Sequence, residues 1–394
     1  MSSLHPNNID KPIETVHPSN TPRAKQDDVV EGLSTVVEHS AWNPNLKATI
    51  HAPMHVLAHE SFTWLHKLVP GIEKLAVEHH VGNYVAMRGG GEPFFESMPL
   101  YARLGMHLLF YGKEEVKLLG NRRIEDVLKE QSVKQGRIFD EAKSAESIGA
   151  FIETYSIQTS ELAEPDTSKY ANFNEFFSRK LKAGARPIQF EEDKSVICSA
   201  ADSRLTVYQS TDLAKKFWVK GTNFTIPHLL NLNSSDPKLA SFDNASLAIF
   251  RLAPADYHRF HSPIAGEVQD ILHIPGQYYT VNPQAVNEPG FDVFTANTRS
   301  VLYMKETTTG LPIAFVAIGA LLVGSIKWTG GKQPGTKVER GDELGYFAYG
   351  GSTVVVVFPK ELIKFDDDLV ANSEKPIETL VKVGYSLGRI PVKN

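Results

Sequence analysis

One cysteine, Cys198, stands in 394 residues. It excludes an intrachain disulfide and any zinc or iron–sulfur site built on cysteines. Positive charge is not in excess either. The 41 Lys and Arg against 46 Asp and Glu leave a net charge of −5, whereas a protein that holds nucleic acid by neutralising phosphates is basic. Long apolar runs are missing. The longest, Leu311–Ile326, is shorter than the roughly 20 residues of a membrane span and contains Pro312, Gly319 and Gly324, so it reads as buried strands. The first 28 residues hold no apolar stretch of the kind a signal peptide needs; they are rich in Pro, Asn and Ser and read as disordered. The location expected is the cytoplasm or the face of an endomembrane. What is present is 42% hydrophobic and 22% charged residues, enough for a buried core.

Two textures divide the chain. Residues 29–165 read as a helical region. Apolar residues recur at three and four through Val29–Val81 and Met98–Gly112, and RRIEDVLKEQSVKQGRIFD continues the pattern, ending near Gly136. Ser144–Tyr155 follows, with Ser144 as N-cap. From residue 166 to 394, β-branched and aromatic residues dominate, in short runs such as SRLTVYQS, SLAIFRLAP, RSVLYMKET and STVVVVFP. A helix begins near Ser373. The fold class expected is α+β, a helical N-terminal region followed by a β-rich domain.

Four stretches stand out. Asn172–Ile188 (NFNEFFSRKLKAGARPI) is aromatic and then basic, with Arg179, Lys180, Lys182 and Arg186 close together. It reads as a packed helix with a solvated basic turn, or as a surface for an anionic partner or lipid headgroup. Ser199–Leu205 places Asp202 between small residues at the entry to a strand, as a turn-former or as an acid that orients a histidine. Phe250–Val268 carries His258 and His261, which share a face on a helix or tight turn. They read as general bases, as metal ligands without a third ligand motif such as HExxH, or as a half-buried hydrogen-bonded pair. Arg340–Pro359 holds Gly350-Gly351-Ser352-Thr353 between two apolar runs. No GxxxxGK[ST] phosphate loop and no G-x-S-x-G elbow is present. A hairpin turn is one reading.

Gly351-Ser352 allows another. A base that removes the Ser352 proton lets Oγ attack the Gly351 carbonyl, turning the amide into an ester. β-Elimination then splits the chain, and the dehydroalanine left behind hydrolyses to a pyruvoyl group. Its ketone can form a Schiff base with an amine and accept the electrons left when CO2 departs, the work a bound cofactor would otherwise do.

Taken in order, the motifs resemble those of the phosphatidylserine decarboxylase family, in its eukaryotic type II form. The family's FNEFF-x-R-x-LK-x-gARP, Asp-containing segment, LAP-x-DYHR-x-H-SP, VGSI strand and G-S-T cleavage motif match Phe173–Pro187, Ala200–Ser203, Leu252–Pro263, Val323–Ile326 and Gly351–Thr353. Ser203 stands where the pattern has Gly or Cys, and Ala265 where Asp is common. Before Phe94 nothing fits the calcium- and lipid-binding C2 domain such enzymes carry. The resemblance implies self-cleavage between Gly351 and Ser352, with pyruvate as covalent cofactor formed from Ser352. It implies Asp202 and His261 as acid and base of that cleavage and His258 as the histidine of decarboxylation, with no metal. Gly324-Ser325, a second Gly-Ser pair, falls in the VGSI strand and not at the cut. The activity implied turns phosphatidylserine into phosphatidylethanolamine and CO2, with peripheral membrane contact through the apolar face of Met98–Gly112. A soluble decarboxylase of a free amino acid, such as an aromatic one, is the alternative.

Overall fold

The structure, a computed structural model, describes residues 82–90, 93–97, 124–221, 224–286, 292–321, 325–330, 333–349, 352–375 and 377–392. The expected helices over Val29–Val81 and Met98–Gly112, the disordered start and the Gly350-Gly351 turn lie outside them.

Sixteen strands are described: β1 (Gly82–Met87), β2 (Phe94–Ser97), β3 (Val196–Cys198), β4 (Ser203–Tyr208), β5 (Ser246–Leu252), β6 (Arg259–His261), β7 (Gly266–Ile274), β8 (Arg299–Glu306), β9 (Pro312–Ile318), β10 (Ile326–Trp328), β11 (Lys337–Val338), β12 (Glu343–Phe347), β13 (Ser352–Phe358), β14 (Lys364–Phe365), β15 (Glu378–Val381) and β16 (Ser386–Arg389). Ten form one sheet in the order β11-β7-β8-β9-β13-β5-β4-β15-β1-β2, and two three-stranded sheets, β10-β12-β6 and β14-β16-β3, accompany it. The pairing is antiparallel except where β1 runs parallel to β15. With its helices, the chain is α+β.

Strand β13 shows why its sequence is apolar without a break. Val354, Val356 and Phe358 join one core cluster and Val355 and Val357 the other, so both faces of the strand are covered. The Val355 face meets the helices, through Leu128 and Phe139 of helix Ile124–Asp140 and through Phe173, Phe176 and Phe177 of helix Phe173–Phe177. The Val354 face meets the small sheets, through Phe260, Trp328, Phe347, Phe365 and Leu387. Within run Leu311–Ile326, β9 is buried along its length except at Pro312, as expected, whereas Ser325 and Ile326 are half-buried and residues 322–324 lie outside the described residues.

Three helix boundaries differ from the sequence reading. Helix Ile124–Asp140 runs past Gly136, because buried Phe139 packs on Phe173 and Tyr349 (ring centroids 4.7 and 4.2 Å). Ser144 does not cap an α-helix. It lies inside the 3-10 turn Ala142–Ser147, donates to the Glu141 carbonyl (2.6 Å) and accepts the Phe173 N–H (2.9 Å). Ser373 ends a helix, Asp367–Ser373, instead of starting one. Asp366, Asp367 and Asp368 favour the N-terminus, and the Ser373 hydroxyl donates back to Leu369 (2.7 Å) while accepting from Val207 N–H (2.9 Å). Hairpin β1–β2 adds a piece of the N-terminal stretch to the edge of the large sheet. No helix among the described residues is long and apolar enough to cross a membrane.

Candidate active site

Register fixes the site. Ser352 opens β13 opposite Leu252, the last residue of β5, and Arg204 of β4 lies opposite Arg251. Asp202 directly precedes β4. The start of β13, the end of β5 with the loop leading to His258, and Asp202 therefore share one end of three neighbouring strands. Ser352 is fully buried, and its Oγ has no hydrogen-bond partner among the described residues. A buried hydroxyl without a partner forgoes about 1–3 kcal/mol, so such an atom calls for a reason.

The two histidines do not share a face. Helical spacing does not apply, because Arg259–His261 is strand β6, and an offset of three along a strand reverses the side chain. His258 is fully buried; its ring lies 3.9 Å from that of Phe177, and its Nδ1 is 2.9 Å from the Asp256 carbonyl. His261 is half-buried. Its Nδ1 lies 2.8 Å from the Gly341 carbonyl and its Nε2 3.1 Å from the Tyr257 hydroxyl. A carbonyl only accepts, so Nδ1 carries the proton and Nε2 the lone pair. Burial holds this imidazole below its ordinary 6.5, against the pull of the Gly341 carbonyl and the Glu343 and Asp202 carboxylates. Gly341 takes φ +90°, and a Cβ there would come within 2.4 Å of Ile188. Only glycine presents that carbonyl to His261 without strain.

Asp202 faces elsewhere. Its carboxylate accepts from Arg186 (Nε to both oxygens, 2.9 Å; an Nη, 2.6 Å) and from the Val383 N–H (2.9 Å). No hydrogen bond joins Asp202 to His261 among the described residues; its charge reaches the imidazole through space. Arg186 also pairs with Glu161 (2.9 Å). Burial lowers its proton affinity, and the two carboxylates more than reverse that.

The basic stretch is thus only partly a surface. Arg186 is tied to Asp202. Arg179 is 4% exposed and donates to the Ala255 (2.9 Å) and Asp256 (3.0 Å) carbonyls in the histidine loop. Burial pulls it down to about 10. Lys180 and Lys182 stay exposed. The aromatic half serves the site directly. Phe177 packs against both the His258 ring and Tyr349 (5.1 Å), and Asn174 Oδ1 accepts the Tyr349 N–H (3.0 Å). One short helix therefore positions both His258 and the segment that runs into Gly350-Gly351-Ser352.

Behind His258, Asp256 belongs to a buried ion-pair chain. Arg204 bridges Asp256 and Glu96 (2.5 Å each), and Arg251 bridges Glu96 (2.8 Å) and Glu378 (2.5 Å). Burial pushes the Asp256 carboxyl up in spite of Arg204. Glu96 comes from β2, a contribution with no signal in the sequence reading. Phe177, Gly341 and Tyr257 were likewise missed as site residues, although all three lie within the stretches singled out in the sequence. Gly324 and Gly351 lie outside the described residues. Ser325 stands just before β10 and not within it.

A family model, phosphatidylserine decarboxylase, matches residues 173–389. Phosphatidylserine decarboxylase proenzyme 2 of Oryza sativa subsp. japonica is 46% identical over 287 residues, covering 72% of this chain and 45% of the relative. Proenzyme 2 of Komagataella phaffii is 42% identical over 297 residues, 75% of this chain and 28% of the relative. The chain thus spans less than half the length of these relatives. The phosphatidylserine decarboxylase proenzyme of Fusobacterium nucleatum is 40% identical over 254 residues, 64% of this chain and 81% of the relative. The motif-bearing half of the sequence and the match along most of the bacterial protein lead to one conclusion: the chain belongs to the phosphatidylserine decarboxylase family.

Proposed function

We propose that the chain is a carboxy-lyase that cleaves itself between Gly351 and Ser352 and then converts phosphatidylserine to phosphatidylethanolamine and CO2. The observation that carries this reading is the Ser352 hydroxyl, buried and without a partner at the strand end where the His258 loop and Asp202 meet. The relatives' names, each a proenzyme acting on phosphatidylserine, favour the lipid over a free amino acid.

In self-cleavage His261 acts as base. Its proton sits on Nδ1, held by Gly341, so Nε2 is free to accept once Tyr257 yields its place. Ser352 Oγ loses its proton and bonds to the Gly351 carbonyl carbon; the Gly351–Ser352 C–N bond breaks, and the nitrogen takes a proton. Loss of the Ser352 Cα proton then expels the Gly351 carboxylate and cuts the chain, and water replaces the nitrogen, which leaves as ammonia. Asp202, fixed by Arg186 and Val383, stabilises the imidazolium through space. The residues present suit a pyruvoyl group at position 352, since a fully buried, unsolvated hydroxyl is the atom that must react. Such a group supplies a ketone that takes up the substrate amine and the electron pair released with CO2. His258, walled by Phe177, holds the proton that the product carbon must receive. Membrane contact is peripheral, on a cytoplasmic or endomembrane face.

The test is a comparison of Ser352→Ala with the unaltered chain. A heat-denatured gel shows two bands for the latter and one for the variant. CO2 release from phosphatidylserine vesicles accompanies only the two-band form. Release from free amino acids but not from vesicles would replace the lipid reading with the soluble one.

A further inference from the structure

A cavity of about 760 Å³ opens between helix Ile124–Asp140, the FNEFF helix and the β10–β12 pair, within the size range of small-molecule sites. Its walls are the chain neighbours of the site. Ser178 and Arg179 follow Phe177, Arg259 follows His258, and Ala348 and Tyr349 lead into Gly350-Gly351-Ser352.

Its charges are unevenly committed. Of the three carboxylates on its lining, Glu164 is ion-paired with Lys169 (3.0 Å), whereas Asp140 accepts from the Asn174 amide (2.7 Å) and Glu175 from the Ala171 N–H (2.5 Å), neutral donors that leave both negative. Arg259 is bound to Glu343 (2.7 Å). Arg179 has no direct ion pair: its guanidinium donates to carbonyls, lies over the Phe176 ring (5.4 Å) and feels the Asp256 and Asp202 carboxylates only through space. Lys180 and Lys327 are exposed on the rim, and neither has an ion-pair or hydrogen-bond partner among the described residues. The lining thus carries three cations without a direct ion pair, Arg179, Lys180 and Lys327, against two such carboxylates, Asp140 and Glu175, which leaves one positive charge for one compact anion.

We infer that this cavity binds the phosphodiester of the substrate headgroup through Lys180 and Lys327. The inference rests on the reading above for its substrate. The shared chemistry is a singly or doubly charged phosphate oxyanion, so a headgroup and free phosphate must be told apart.

The probes are glycerophosphoserine, a headgroup without acyl chains, and inorganic phosphate, each titrated calorimetrically into the purified chain. Lys180→Gln/Lys327→Gln is compared with Lys180→Arg/Lys327→Arg and the unaltered protein. Glycerophosphoserine binds the unaltered chain, weakens about tenfold in the Gln pair, as expected for two lost charge-assisted contacts, and recovers in the Arg pair. In turnover of a soluble short-chain phosphatidylserine, the same loss appears in KM while kcat holds. Affinity for glycerophosphoserine that is absent from the unaltered chain, or equal in the Gln pair, overturns the inference. Equal affinity for inorganic phosphate also overturns the headgroup assignment. A chain that binds glycerophosphoserine through these lysines yet releases no CO2 from phosphatidylserine would instead sink the proposed activity and leave the cavity assignment standing.

Discussion

His258 and His261, three residues apart, live in different surroundings. His258 is closed in by Phe177, on the helical face of the large sheet. His261 ends β6, whose Phe260 packs into the opposite core, and its nitrogens meet the Gly341 carbonyl and the Tyr257 hydroxyl. After the end of β5, opposite Ser352, the chain goes from His258 beside one core cluster to Phe260 in the other, so the two imidazoles stand against different packing. Under the proposed function, in which the chain first breaks its own backbone and then turns over a substrate, each imidazole takes one task.

Substitutions that separate the two sides test this division. The largest effect is expected from Ser352→Ala, which removes both tasks: no splitting on a denaturing gel and no CO2. Next comes His261→Ala, which slows splitting by about 10²–10⁴-fold, the usual worth of a general base, as followed by band intensity over time. His258→Ala splits at the normal rate and loses at least about 100-fold in kcat; splitting that fails in this variant, or turnover that stays normal, would merge the two roles. Phe177→Ala removes the ring behind His258 and costs about 3–5 kcal/mol of stability by denaturant unfolding. The smallest effect is a matter of pH. Because burial depresses His261, its base form persists below 6.5, so the splitting rate falls only as pH drops beneath that value. A midpoint at or above 6.5 would mean that His261 is solvated during the reaction.

The sequence made the β-rich half legible because burial on both faces leaves an unbroken run such as STVVVVF, and because Pro and Gly mark its ends. Motif order pointed to Ser352 and the two histidines. Other features were hidden for physical reasons. A strand of three residues, β6, is too short to show a period, so the spacing of the histidines reads locally as a helix or tight turn. Arg179 and Arg186 read as solvated cations because a sequence does not display the carbonyls and the Asp202 carboxylate that receive them. Hairpin β1–β2 belongs to the sheet through Glu96 and through pairing with β15, nearly three hundred residues away in sequence, and neither partner is visible locally. Asp366–Asp368 at a helix front outweighed the Ser373 signal.

The central claim is a covalent one, and intact-mass analysis of the purified, denatured chain tests it most directly. The account predicts two polypeptides, the shorter beginning at residue 352 with a keto group in place of the amine and therefore closed to Edman degradation. A single unbroken polypeptide that still releases CO2 from phosphatidylserine would contradict it.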